Sequence, residues 1–90
     1  MSPASQPELE ERIRAFLRRQ LGVDDSALTA RSALISAGVI DSVDLVRIAS
    51  FLEGEAGLAI PDADISVENF DSIADMIGYV ERRATSPRAS

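Results

Sequence analysis

Three apolar stripes at helical spacing, separated by glycine, proline and polar residues, constrain this chain more than any other feature. Leu9, Ile13, Phe16, Leu17 and Leu21 share one side of a helix. Pro7 suits its first turn, Glu8, Glu10 and Glu11 follow, Arg18 and Arg19 stand at its far end, and Gly22 stops it. That order complements the helix dipole. A second stripe is Val46, Ala49, Leu52 and Ala56, with Leu45 and Ile48 beside it. It predicts a helix from Asp41-Ser42 to about Ala56, weakened near its end by Gly54 and stopped by Gly57. A third stripe is Ile73, Met76, Ile77 and Val80. It predicts a last helix with Asp71 as N-cap and Arg82 and Arg83 at its C-terminus.

Residues 23–40 have no sustained period. They read as a long loop with a short helical turn near 32–37, tacked onto the core by Val23, Leu28, Leu34, Ile35, Val39 and Ile40. A loop of this length in a small domain is uncommon and is often functional. After Pro61, Asp62-Ala63-Asp64-Ile65 reads as one short helix. The expected fold is all-α: a small four-helix bundle, three main helices plus one short helix, with a long loop between helices one and two. Residues 7–83 form its single domain, with 1–6 a disordered leader and 84–90 a disordered tail.

The chain has 90 residues, 46% of them apolar and 27% charged, with no Cys, His or Trp. No disulfide can staple the fold, and a Ser-His-Asp triad, a Cys-His pair and a standard zinc site are all excluded. The chain therefore does not read as an enzyme with its own active site. Asp62-x-Asp64 begins like a calcium loop, but Val67 occupies the position that needs glycine, so no metal site is expected. The nine basic residues are all Arg, and the net charge is −6. Residues 22–81 hold twelve acids against Arg31 and Arg47, a local charge of −10. Such a surface repels nucleic acid and attracts proteins with Arg or Lys patches. It also keeps a small domain soluble, and a monomer is expected. No run approaches the roughly 20 apolar residues of a membrane span. Met1 to Pro7 lacks a basic start followed by an apolar stretch, so the expected compartment is the cytoplasm.

Asp-Ser occurs three times, at Asp25-Ser26, Asp41-Ser42 and Asp71-Ser72. Each pair suits a helix cap. Asp41-Ser42 differs in context: it lies at mid-chain after Gly38-Val39-Ile40 and opens the most apolar helix. Gly38-Val39-Ile40-Asp41-Ser42-Val43-Asp44-Leu45 resembles the attachment motif of acyl carrier proteins. The resemblance continues through Phe51 to Gly57, Ile60-Pro61-Asp62 and Ile73 to Val80, and covers roughly residues 8–83 in order.

This resemblance implies that Ser42 carries 4′-phosphopantetheine through a phosphodiester. Asp41 then has a supporting role, positioning the metal ion of the transfer complex. A phosphopantetheinyl transferase supplies CoA, the metal and the deprotonation. By the same resemblance the partner-binding residues are Val43, Asp44, Arg47, Ser50 and Glu53. Arg47 stands where many members have an acid, Gly54 replaces another frequent acid, and Ala56 replaces a large aromatic that Phe51 or Phe70 must offset. The implied function is to hold acyl groups as thioesters and deliver them to acyltransferase, ketosynthase or condensation-type enzymes after charging by an acyl- or aminoacyl-loading enzyme. Fatty-acyl, polyketide and aminoacyl cargo all stay open. Glu68-Asn69-Phe70-x-Ser72-Ile73 resembles discrete carriers of specialised metabolism, including those charged with amino acids, so the alternative is a discrete aminoacyl or peptidyl carrier protein. Apolar cargo would enter a cavity between helix two and the short helix near 62–66, lined by Leu45, Val46, Ile60 and Ile65. The rival reading is a small helical interaction module that is never modified, in which Ser42 is only a cap.

Overall fold

The structure, a computed structural model, describes residues 6–85, with side chains from Glu8 to Ala84. Among the described residues four α-helices occur in chain order: α1 (Gln6–Gln20), α2 (Ser42–Ala56), α3 (Val67–Phe70) and α4 (Ile73–Thr85). Single 3₁₀ turns occupy Asp25–Ala27 and Asp62–Asp64. Gln6, Ala84 and Thr85 are helical; the remainder of the expected leader and tail lies outside the described residues.

The stripes become the core. Leu9, Ile13 and Leu17 of α1, Leu45, Ile48, Ala49 and Leu52 of α2, and Ile73, Met76, Ile77 and Val80 of α4 are all buried. Each large side chain among them contributes about 1.5–3 kcal/mol relative to exposure. Helix α4 packs on α1, α2 and α3 and is the centre of the bundle. Phe70 is fully buried and meets Tyr79 edge-on, with ring centroids 5.0 Å apart. Phe51 instead stacks on Phe16 at 4.5 Å across α1 and α2. Gly22 and Gly57 end α1 and α2 at φ +69 and +68, a left-handed geometry that glycine adopts without a Cβ penalty.

Five expectations are corrected. Val46 is not on the buried face of α2: it is 57% exposed, because it lies about 100° around the helix from Leu45. Val39 of the loop is also exposed, at 43%. The short helix near 62–65 is only a 3₁₀ turn at Asp62–Asp64, and the short α-helix follows at Val67–Phe70. Residues 32–37 form turns rather than a helical turn, and the 3₁₀ turn of the loop lies earlier, where the Asp24 carboxylate caps it by accepting from the Ser26 N–H at 3.2 Å. Finally, Asp71 does not cap α4. Ser72 does, its hydroxyl oxygen accepting the Asp75 N–H at 3.0 Å, which leaves the Asp71 carboxylate to bind the long loop.

Candidate functional site

Helix α2 begins with a capping box. The Asp41 carboxylate accepts the Asp44 N–H at 3.0 Å, and the Asp44 carboxylate accepts the Asp41 N–H at 3.5 Å. Asp41 is therefore extended, at φ −112 and ψ −175, and Ser42 is the first helical residue. Its side chain is exposed, and its hydroxyl has no hydrogen-bond partner among the described residues. The first amides of a helix lack intrahelical acceptors and carry a partial positive charge.

The other two Asp-Ser pairs are built differently. The Ser26 hydroxyl donates to the Asp24 carboxylate at 2.7 Å, and Asp24 is held below the ordinary carboxylate range chiefly by that bond. Ser72 is 6% exposed and is occupied as the cap of α4. Ser42 is the one of the three whose hydroxyl is both exposed and uncommitted.

The loop before Ser42 is held from a distance. The Asp71 carboxylate takes N–H groups from Leu34, Ile35 and Ser36 and the Ser36 hydroxyl. That hydroxyl, followed by the backbone donors, holds the Asp71 carboxyl below its ordinary range. Nothing in the local sequence signals this contact, because its partners lie 35 to 37 residues away.

The remaining expected residues divide into three settings. Val43, Arg47 and Ser50 lie on the exposed side of α2. Arg47 and Ser50, with Phe16, Gln20 and Phe51, line an open groove of about 530 Å³. Asp44 is half-buried in the capping box, and Glu53 is half-buried and accepts the Ile60 N–H at 2.7 Å. Leu45 and Ile60 are buried, Ile65 is half-buried, and Val46 faces solvent. The segment after α2 is tied again at Asp64, which accepts the Tyr79 hydroxyl at 2.6 Å and lies 3.6 Å from Arg83. Burial first, and Asp64 second, push the Tyr79 hydroxyl above its ordinary range. Asn69 donates to the Asp64 carbonyl at 2.8 Å. Among the described residues no helix is long and apolar enough to cross a membrane.

Residues 11–80 match the phosphopantetheine attachment site family. The chain is 32% identical over 80 residues to the acyl carrier protein of Thermotoga maritima, covering 89% of this chain and 96% of that one. It is 31% identical over 78 residues to the acyl carrier protein of Akkermansia muciniphila, covering 87% and 95%. The chain belongs to the acyl carrier protein family, whose prosthetic group is covalently attached 4′-phosphopantetheine. Members of that family carry rather than catalyse, and work with a phosphopantetheinyl transferase and acyl-handling enzymes. The residues at the start of α2 fit such a group: an uncommitted serine hydroxyl stands at the positive end of a 15-residue helix, where a phosphodiester is favoured.

Proposed function

We propose that Ser42 is the attachment point and that this chain is a carrier of acyl groups for fatty-acid, polyketide or related biosynthesis, within specialised metabolism. The observation that supports the choice of residue is the exposed Ser42 hydroxyl, unbonded among the described residues, set against a capping, buried Ser72 and a tied Ser26. When attached, the arm supplies a thiol that holds the acyl group as an activated thioester. The chain's own residues present and orient it. Asp41 fixes the first turn of α2 with one carboxylate oxygen, and its other oxygen, without a partner among the described residues, is left for the metal ion that the transferase brings. Val43, Arg47 and Ser50 offer an exposed face for partner enzymes, with Val46 joining it rather than the interior. Asp44 and Glu53 add negative potential beside that face. Apolar cargo is received between α2 and the segment after it, against Leu45, Ile60 and Ile65.

The test is mass spectrometry of the apo protein incubated with CoA, Mg²⁺ and a broad-specificity transferase. One phosphopantetheine is expected, mapped by peptide digestion to Ser42, and none on Ser42→Ala with its helical circular dichroism intact. Modification at Ser26 or Ser72, or none at all, overturns the assignment, and the last outcome favours an unmodified interaction module. Loading the holo form with acyl and aminoacyl donors in parallel then decides the cargo class.

A further inference from the structure

Asp71 lies between α3 and α4, outside the Gly38–Leu45 stretch, and its carboxylate faces back onto the loop that delivers Ser42. Oδ1 accepts the N–H groups of Leu34, Ile35 and Ser36 at 3.2, 2.8 and 3.0 Å, and Oδ2 accepts the Ser36 hydroxyl at 2.6 Å. The Asp71 carbonyl also takes the Leu34 N–H, at 2.7 Å. Leu34 passes the constraint on. It is fully buried, and its own carbonyl accepts from Val39 at 2.8 Å and Ile40 at 3.1 Å. Gly38, at φ +77, lets the chain reverse between Leu34 and Ile40. Ile40 is 5% exposed and is followed directly by Asp41 and Ser42. One residue, Leu34, thus links Asp71 to the position two places before the serine.

We infer that Asp71 is a positioning residue for the modification of Ser42. The inference rests on Ser42 being the attachment point. Residues 28–41 contain no helix or strand to fix their register, so a charged acceptor shared by three successive amides sets it instead. In the transfer, the Ser42 oxygen forms a bond to phosphorus and the pyrophosphate bond of CoA breaks. Adenosine 3′,5′-bisphosphate leaves, and the serine proton passes to a base of the transferase. Ser42 reaches that geometry only if Ile40 and Asp41 are held in place, and small misplacements of a reacting group are costly in rate.

The experiment compares wild type, Asp71→Ala and Asp71→Asn as apo proteins with a broad-specificity transferase, CoA and Mg²⁺. All are assayed where circular dichroism shows them folded. For Asp71→Ala, kcat/KM is expected to fall by about tenfold or more, mainly through KM, since the loop must be ordered on binding. Its backbone amide resonances at Ile40, Asp41 and Ser42 should shift or broaden before any transferase is added. Asn keeps an acceptor oxygen for the three amides, so Asp71→Asn should stay within about threefold of wild type. Should Asp71→Ala not fold, Asp71→Glu retains the charge but displaces the acceptor by one methylene, and the same loss is expected. A folded Asp71→Ala or Asp71→Glu with wild-type kcat/KM overturns the inference. So does an Asp71→Asn as impaired as Asp71→Ala, or a loss of rate with unmoved Asp41 and Ser42 resonances. Wild-type modification at a serine other than Ser42 defeats the attachment reading itself, and is told apart because it appears without any substitution.

Discussion

Residues 71 and 72 show how little separates a cap from a clasp. Both Asp and Ser are good N-caps, and Ser72 takes that role while Asp71 turns to the loop. Because hydrogen bonds to the ionised form lower the Asp71 pKa, Asp71 stabilises the fold at any pH above the ordinary carboxylate range. That contribution is lost as pH falls through its lowered folded value. Thermal melts of wild type and Asp71→Asn should therefore differ near neutrality and converge in acid, and a gap that widens on acidification would refute the assignment. At the other cap, Asp41→Ala removes the acceptor of the Asp44 N–H and should cost about 1 kcal/mol in denaturant unfolding, with α2 still formed by its buried face.

The second helix divides sharply into two faces. Leu52 is fully buried, so Leu52→Ala should cost about 2–5 kcal/mol in urea unfolding. Val46→Thr, six residues earlier but 57% exposed, should stay within about 0.5 kcal/mol. The same Val46 substitution is expected to slow loading or acyl transfer if the exposed face of α2 is, as proposed, the one offered to partners. Glu53 needs a different reading from its neighbours. Its carboxylate holds the Ile60 N–H, closing the chain reversal after Gly57. Glu53→Arg should lower stability by roughly 1–3 kcal/mol, the cost of leaving a half-buried amide unpaired, and so cannot serve as a clean probe of docking charge. Asp62 can, because its side chain is exposed and unbonded among the described residues.

Across the whole molecule, the −10 charge of residues 22–81 sets the long-range field. If partners approach through basic patches, Asp62→Arg should slow loading without lowering the melting temperature. Wild-type rates should also fall as salt rises, since exposed charges are screened beyond about 8 Å at physiological ionic strength. Rates that ignore both salt and Asp62→Arg would argue for docking by shape and apolar contact alone. Arg47 interrupts the acidic field on α2, beside the Phe16–Phe51 stack and without an ion pair among the described residues. Arg12, Arg14 and Arg18 of α1, by contrast, pair with Glu55, Glu10 and Asp25.

The sequence by itself determined the helical class, the three long helices and the serine at the head of the second. Each of these follows from short-range rules: apolar spacing within a few turns, acids and bases matched to helix ends, and glycines where the chain must turn left-handed. The stretch that resembles the attachment motif is equally local, eight consecutive residues from Gly38 to Leu45. Only the tertiary structure decided the course of residues 23–40, the place of the short α3, the outward turn of Val46 and the use of Asp71 and Glu53. Those depend on partners far along the chain, such as Leu34 with Asp71 or Tyr79 with Asp64. A half-buried carboxylate takes whichever amides the packing of the helices brings to it, and no local pattern in the sequence names them.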